Sequence, residues 1–178
     1  ANLALENLCR IARDSGDVVW PGKAYQRFKD ASNMTDRMGA LRALLEGQSV
    51  LAQPALERFH ALFQDEALVL DKWFRLQATR NDLDGKVLGQ VRALLQHKDF
   101  HLSNPNRVRS LITAFCHANP GAFHRADAAG YVFWADQVLA LDGINAQIAA
   151  RLKQDIENWK RLAEPYRSAA GETIRRPI

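Results

Sequence analysis

Apolar residues in this chain recur mostly three and four positions apart, the spacing that collects them on one face of an α-helix. Convincing runs of alternating apolar and polar residues, the pattern of a half-buried strand, are not found. Glycine, proline, asparagine and aspartate separate one apolar stretch from the next and mark the ends of helices. The pattern therefore predicts an all-α protein.

The first half of the chain is expected to form a series of short helices. Leu5, Leu8 and Ile11 mark the first of them, which ends near Gly16. Pro54 suits the first turn of the fourth helix, because its missing N–H costs nothing there. The core-facing residues of the second to sixth helices are, in order, Tyr25 and Phe28; Met38, Leu41 and Leu45; Leu56, Phe59 and Phe63; Leu70, Trp73, Phe74 and Gln77; and Val87, Leu88, Val91, Leu94 and Leu95.

The second half begins with the clearest helix start in the sequence. Asn104 suits the N-cap and Pro105 the first helical position, and Asn119-Pro120 is expected to end this helix. Its buried stripe should contain Val108, Leu111, Ile112 and Phe115. The eighth helix is expected over about Asp127 to Leu141, with Tyr131, Trp134 and Val138 inward. The ninth runs from Asn145 and buries Ile148, Leu152, Ile156 and Trp159, and a last helix follows Pro165.

About ten helices joined by short turns, with no long central helix, favour stacked antiparallel pairs over a four-helix bundle. We therefore expect a superhelix or α-solenoid built as a single domain. The length of 178 residues suits one domain, and 47% hydrophobic with 25% charged residues is an ordinary globular composition. Because no strict sequence period is visible, the repeats would be structural only.

The charge distribution and the N-terminal sequence bear on whether the chain binds nucleic acid or a membrane. The net charge is +4, but acidic and basic residues are interspersed and form no basic block, so no nucleic-acid partner is expected. The first residues lack the basic leader and long apolar core of a signal peptide or membrane span. The chain starts with alanine instead of methionine, which indicates processing or a piece of a longer protein. Cys9 and Cys116 are expected to be buried thiols in a reducing compartment, with a disulfide between them left open.

The sequence contains none of the common enzyme motifs. The zinc-protease pattern H-E-x-x-H does not occur, and His97 and His101 lack the glutamate, so they are expected to be turn or surface residues. Residues 16–24 resemble a phosphate-binding loop but have the wrong glycine spacing and no Ser or Thr after Lys23, so a connector is expected. The chain alone does not resemble a catalyst.

Two arginines, Arg107 and Arg109, stand near the start of the seventh helix, where the helix dipole favours anions. Either they extend into solvent or pair with acids such as Asp99 or Asp127, or they form a recognition corner for a carboxylate. A second polar pair, Gln147 and Arg151, lies four residues apart on one helical face. Exposure to solvent would explain that pair equally well.

Several segments resemble, in the same order and with similar gaps, the C-terminal helical domain of bacterial aminopeptidase N, a family of zinc metalloaminopeptidases. The likeness extends from the start of the chain to about Leu152 and is carried by residues 33–37 (NMTDR), 69–74 (VLDKWF), 91–97 (VRALLQH), 103–112 (SNPNRVRSLI), 119–120 (NP) and 122–124 (AFH).

The resemblance implies a division of labour within a longer parent chain. Residues 1–178 would be the helical cap domain of a cytoplasmic enzyme that removes N-terminal residues from short peptides. Zinc and the catalytic residues would belong to the missing catalytic domain, the partner of this domain in the same chain. The cap would enclose the active-site chamber and be inactive alone, with no cofactor or metal of its own.

The resemblance also implies the residues that contact the downstream part of a bound peptide. The second arginine of the N-P-N-R-x-R motif corresponds to Arg109, and a later glutamine and arginine correspond to Gln147 and Arg151. Arg107 is a further candidate because it belongs to the same motif. We expect Arg109, Gln147 and Arg151 to converge on one hollow that the metal-bearing domain closes. The alternative is a free-standing helical-repeat scaffold that binds a protein partner in its concave groove.

Overall fold

A computed structural model describes residues 2–154 and 156–175, and all regular structure within these ranges is helical. The all-α prediction is confirmed. The α-helices are α1 (Asn2–Ser15), α2 (Val19–Asp30), α3 (Met34–Glu46), α4 (Ala52–Phe63), α5 (Ala67–Ala78), α6 (Val87–Leu95), α7 (Pro105–Val108), α8 (Ala114–Ala118), α9 (Pro120–Phe123), α10 (Ala129–Asp142), α11 (Ala146–Gln154) and α12 (Tyr166–Arg175). A π-helical segment, Arg109–Thr113, joins α7 to α8, and a 3-10 helix covers Glu157–Arg161.

The chain forms two compact units, residues 1–76 and 77–178. In the first unit, α1, α2 and α3 pack against one another. The residues of the described ranges include no helix that is both long and apolar enough to cross a membrane. Cys9 and Cys116 are buried and free, as expected from their apolar surroundings in the sequence.

Helix α1 buries only Leu5 of the three apolar residues that mark it in the sequence. Its buried residues are Leu5, Cys9 and Ala12, whereas Ile11 is 64% exposed. The small side chain of Cys9 lets α1 approach the end of α3, where a Cβ on Gly47 would lie only 2.8 Å from the Cys9 carbonyl oxygen. A close contact between backbones, and not the largest apolar residues, decides which face is buried.

The NMTDR segment builds the corner between α2 and α3. The Asn33 side chain accepts a hydrogen bond from Asp36 N at 2.8 Å and so caps α3. The Arg37 guanidinium donates to the carbonyl oxygens of Phe28 (3.1 Å) and Ala31, which satisfies the C-terminal end of α2. This motif therefore has a structural role in the first unit.

Residues 16–24 are not the connector that the sequence suggested. Gly16 adopts a positive φ of 73°, which ends α1, but α2 already begins at Val19 and includes Lys23. Pro21 near the helix start does not break it, because the N–H that proline lacks would have no intrahelical partner at this position.

In the second unit, Asn119 ends α8 and caps the short helix α9, which the sequence analysis did not predict. Its buried side chain donates from Nδ2 to the carbonyl oxygens of Ala78 and Arg80, both at 2.9 Å. One asparagine thereby serves the ends of three helical segments. A further side-chain hydrogen bond in this unit connects α6 with the end of α5: Gln90 Nε2 donates to Gln77 Oε1 at 2.9 Å.

The ninth predicted helix is shorter than expected. Helix α11 ends at Gln154, and Trp159 lies on the 3-10 helix that follows. The Trp159 ring lies so close to α12 that a Cβ on Gly171 would be 2.7 Å from it. The predicted core residues Leu152 and Ile156 are nevertheless buried, and Trp159 is half-buried.

Candidate functional site

The NPNRVR segment forms the start of the helical stretch that runs from α7 through the π segment to α8. Asn104 Oδ1 accepts hydrogen bonds from the backbone N of Asn106 (3.0 Å) and of Arg107 (3.3 Å), so the predicted N-cap is confirmed. Pro105 occupies the first helical position, as predicted. The expected stripe is completely buried; it consists of Val108, Leu111, Ile112 and Phe115.

The two arginines of the motif point in different directions. Arg107 is only 5% exposed, and its Nε donates to the Asp99 carbonyl oxygen at 3.0 Å. Arg109 is exposed, and its Nη1 donates to Asn106 Oδ1 at 3.2 Å. Residues two positions apart in a helix are separated by roughly 200° around the axis. When one arginine of an R-x-R pair enters the protein, the other therefore faces solvent.

Pairing with nearby acids such as Asp99 is one of the roles that the sequence allows for the two arginines. Arg107 does contact Asp99, by donating to its backbone carbonyl oxygen. It binds the loop before α7 through the Asp99 backbone, and Ser110 Oγ donates back to the Arg107 carbonyl oxygen at 3.0 Å. Asp127, the other acid considered as a partner, pairs with Arg125 at 2.7 Å. The hydrogen bond from Arg125 is the main cause that lowers the pKa of Asp127 to about 2.

The π-helical segment begins at Arg109 itself. It buries three consecutive residues, Ser110, Leu111 and Ile112, and leaves Arg109 on the outside. Short π segments inside α-helices are rare and frequently lie at functional sites. The sequence gives no signal for this segment, because its apolar spacing is also compatible with a regular α-helix.

Gln147 and Arg151 lie side by side on the exposed face of α11. The opposite face is buried through Ala149 and Leu152, which are 0% and 1% exposed. Asn145 Oδ1 accepts a hydrogen bond from Ile148 N at 3.2 Å and fixes the helix start. Within residues 2–154 and 156–175, neither Gln147 nor Arg151 has a hydrogen-bond or ion-pair partner. Both side chains are exposed.

The four predicted site residues therefore fall into distinct settings. The structure brings Gln147 and Arg151 together, places Arg109 on another element and buries Arg107. Among the described residues, no hydrogen bond links Arg109 with the pair on α11. The convergence of these three side chains on one hollow stays a prediction.

A separate cavity of about 290 Å³ lies in the described part of the second unit. Its lining is mostly apolar and comprises Trp134, Lys153, Ile156, Glu157, Trp159 and Ile174. The predicted contact residues do not line it. Trp134, one of the lining residues, donates from Nε1 to the Leu152 carbonyl oxygen at 2.8 Å.

The histidines near the end of α6 do not form a zinc-protease motif. Helix α6 ends at Leu95, so His97 and His101 lie beyond it in the following turn. His97 Nδ1 accepts a hydrogen bond from Asp99 N at 3.2 Å and thereby stabilises that turn. The expectation that both are turn or surface residues is confirmed. The H-E-x-x-H motif needs two histidines on adjacent turns of one helix, and His97 and His101 do not meet that requirement.

Comparison with known proteins connects this architecture with a family. A family model described as "Domain of unknown function (DUF3458_C) ARM repeats" matches residues 1–176, which agrees with the predicted helical-repeat fold. Aminopeptidase N of Caulobacter vibrioides is 41% identical over 173 residues, or 97% of this chain. Aminopeptidase N of Escherichia coli is 42% identical over 136 residues, or 76% of this chain.

A solved structure shares the fold. The crystal structure of Legionella pneumophila aminopeptidase A in complex with aspartic acid superposes with a TM-score of 0.82 and 32% identity over 88% of this chain, which is 18% of the other chain.

The chain spans only a small part of these relatives: 19% of the Caulobacter protein and 15% of the Escherichia protein, within their C-terminal region. Such partial coverage does not favour a free-standing scaffold. The predicted resemblance to the C-terminal domain of aminopeptidase N is confirmed. The chain therefore belongs to the DUF3458_C family of ARM-repeat domains.

Proposed function

We propose that this chain is the C-terminal domain of a cytoplasmic zinc aminopeptidase that removes N-terminal residues from short peptides. In this proposal the domain encloses the active-site chamber of a catalytic domain in the same chain. Arg109, Gln147 and Arg151 contact the downstream part of the peptide, and the domain does not catalyse alone. The observation that carries the proposal is the outward guanidinium of Arg109, at the position that the family motif marks.

The chemistry of these groups fits a peptide's carboxyl end. A guanidinium presents several N–H donors in one plane and can bind both oxygens of a carboxylate. Gln147 offers an amide that can both donate to and accept from a peptide backbone. Arg151 adds a second positive charge on the same face of α11. Together these side chains would attract and orient an anionic end without taking part in bond cleavage.

Arg107 has a supporting role in this proposal. Its buried side chain ties the preceding loop to α7 through the Asp99 carbonyl oxygen, and so it holds the segment from which Arg109 projects.

Zinc belongs to the catalytic domain in this proposal. When bound there, it would polarise the scissile carbonyl and activate a water molecule. The residues described here bind and position the peptide. His97 and His101, the histidines of this chain with the nearest spacing, lie in a turn and do not form the H-E-x-x-H motif.

The proposal is tested by Arg109→Ala in the full-length enzyme. A contact between an exposed guanidinium and a carboxylate contributes up to about 1 kcal/mol, and more when it is shielded from water. We therefore expect KM for tripeptides and tetrapeptides to rise about fivefold to tenfold, with little change in kcat. A chromogenic substrate with a single amino acid lacks the downstream part, so its hydrolysis should stay unchanged.

Arg92→Ala is the matched control, because Arg92 is also an exposed arginine on a helix of the second unit. Its kinetics should equal those of the wild type. Unchanged tripeptide kinetics in Arg109→Ala would contradict the assignment. Separately, the isolated domain supplied with zinc should not cleave the chromogenic substrate, whereas the full-length chain should; activity in the isolated domain would refute the division of labour.

A further inference from the structure

The side chain of Asn106 has no role in capping or core packing. Asn106 is exposed in the first turn of α7, where alanine would be a better helix former. The contact found for its side chain is the hydrogen bond from Arg109 Nη1 to Asn106 Oδ1, at 3.2 Å. Residues three positions apart are neighbours on a helix surface, so this spacing suits the contact. The Arg109 guanidinium is thus the partner that the structure gives to the Asn106 side chain.

The backbone of Asn106 is itself fixed. Asn104 Oδ1 accepts a hydrogen bond from Asn106 N at 3.0 Å, and Pro105 restricts the backbone between them. The side chain of Asn106 therefore starts from a rigid position and transfers that order to Arg109. Two consecutive hydrogen bonds thus connect Asn104 to Asn106 and Asn106 to the Arg109 guanidinium.

We infer that Asn106 is a positioning residue, which holds the Arg109 guanidinium ready for a peptide carboxylate without cancelling its charge. The inference rests on the proposed function of Arg109. An arginine has a long, flexible side chain, and ordering it upon binding costs conformational entropy. The hydrogen bond to Asn106 restricts the Arg109 side chain before a ligand binds, so that less conformational entropy is lost on binding. Its amide oxygen occupies one N–H group of the guanidinium and leaves the others for the ligand.

Asparagine and aspartate at position 106 would differ in their effect on the charge of the Arg109 guanidinium. An aspartate at position 106 would bind the same guanidinium more strongly, as a charge-assisted hydrogen bond. It would also neutralise the charge and compete with the carboxylate of the peptide. A neutral acceptor orients the arginine and preserves its attraction for anions. Alanine and aspartate at this position should therefore both impair peptide binding, and aspartate should do so more strongly.

The test uses the full-length enzyme with Asn106→Ala and Asn106→Asp. We expect KM for tripeptides to rise about threefold in Asn106→Ala and about tenfold in Asn106→Asp. The kcat should stay near the wild-type value, and a single-residue chromogenic substrate should be hydrolysed normally. Asn7→Ala is the control, since Asn7 is likewise an exposed helical asparagine and its kinetics should not change. A role in folding alone would instead lower the melting temperature and affect both substrates equally.

A double-mutant cycle with Arg109→Ala is decisive. If Asn106 acts through Arg109, adding Asn106→Ala to Arg109→Ala should raise KM no further. The inference is overturned if Asn106→Ala raises KM equally in both backgrounds, or has no effect in an enzyme whose tripeptide KM responds to Arg109→Ala. If Arg109→Ala itself leaves KM unchanged, the proposed function of Arg109 fails, and the inference fails with it.

Discussion

Gly130, in the first turn of α10, offers a stringent test of the packing in the second unit. A Cβ at this position would lie 2.0 Å from the Phe123 carbonyl oxygen and 2.9 Å from its carbonyl carbon. Both are backbone atoms, so the overlap cannot be relieved by a change of side-chain rotamer. We therefore predict that Gly130→Ala is strongly destabilising although it adds a single methyl group.

The magnitude follows from two opposing terms. Overpacking in a well-packed region costs typically 1–3 kcal/mol, and about 3 kcal/mol applies here because the overlap is severe and its partner is backbone. Replacing glycine with alanine in a helix recovers about 1 kcal/mol of conformational free energy. The net loss in the free energy of unfolding is therefore about 2 kcal/mol. For a chain of this size that corresponds to a decrease in melting temperature of about 4–8 °C.

Gly89→Ala is the matched control for this measurement. Gly89 is exposed on α6, and a Cβ there would have no atom within 4 Å. The same substitution should stabilise the protein by about 0.5–1 kcal/mol. Both variants and the wild type would be compared by calorimetry and urea unfolding. Equal stability of Gly130→Ala and the wild type would refute the close approach of α10 to Phe123.

Two further predictions concern the second unit. Asn119→Ala should cost about 2–3 kcal/mol in urea unfolding, because the carbonyl oxygens of Ala78 and Arg80 lose a buried donor; an unchanged midpoint would contradict those bonds. Burial lowers the pKa of His124 below its usual value of 6.5, so the unfolded chain binds that proton first and stability should fall as pH decreases below about 6.5. His124→Asn, whose amide can still form a hydrogen bond with the Tyr131 hydroxyl now 3.0 Å from Nδ1, should flatten this dependence; an equally steep loss in the variant would exclude His124 as its source.

The helices and most of the core were predictable because apolar spacing reports directly on which residues a helix buries. The stripe from Val108 to Phe115 and the inward residues of α10 lie where the pattern put them. The buried face of α1 was not predictable in the same way. There Cys9 and Ala12 are buried while Ile11 is exposed, because a close backbone contact at Gly47 outweighs side-chain size. A close contact between two backbone segments, such as that of Cys9 with Gly47, does not produce a periodic pattern of apolar residues in the sequence.

The helix start before the arginine motif and the shared helical face of Gln147 and Arg151 were predictable, whereas the local geometry around them was not. The NPNRVR segment and the spacing of Gln147 and Arg151 identified the right helix starts and faces. The π segment beginning at Arg109 depends on a shift of backbone hydrogen bonds that no residue type in Arg109–Thr113 requires. The contact from Arg109 to Asn106 is likewise a matter of rotamers, which a sequence does not specify.

The two arginines of the motif differ in what their substitution would measure. Because they stand on opposite sides of one helix, Arg107 is 5% exposed and bound to a backbone carbonyl, whereas Arg109 is exposed and bound to a neutral side chain. Removing Arg107 would take a donor away from the half-buried Asp99 backbone and empty a buried side-chain position, which costs stability before any ligand is considered. A loss of activity in an Arg107 variant would therefore report on the loop that it holds. Arg109 is the position at which the charge can be removed while the helix stays intact, and so the proposed contact with a peptide carboxylate has to be tested there.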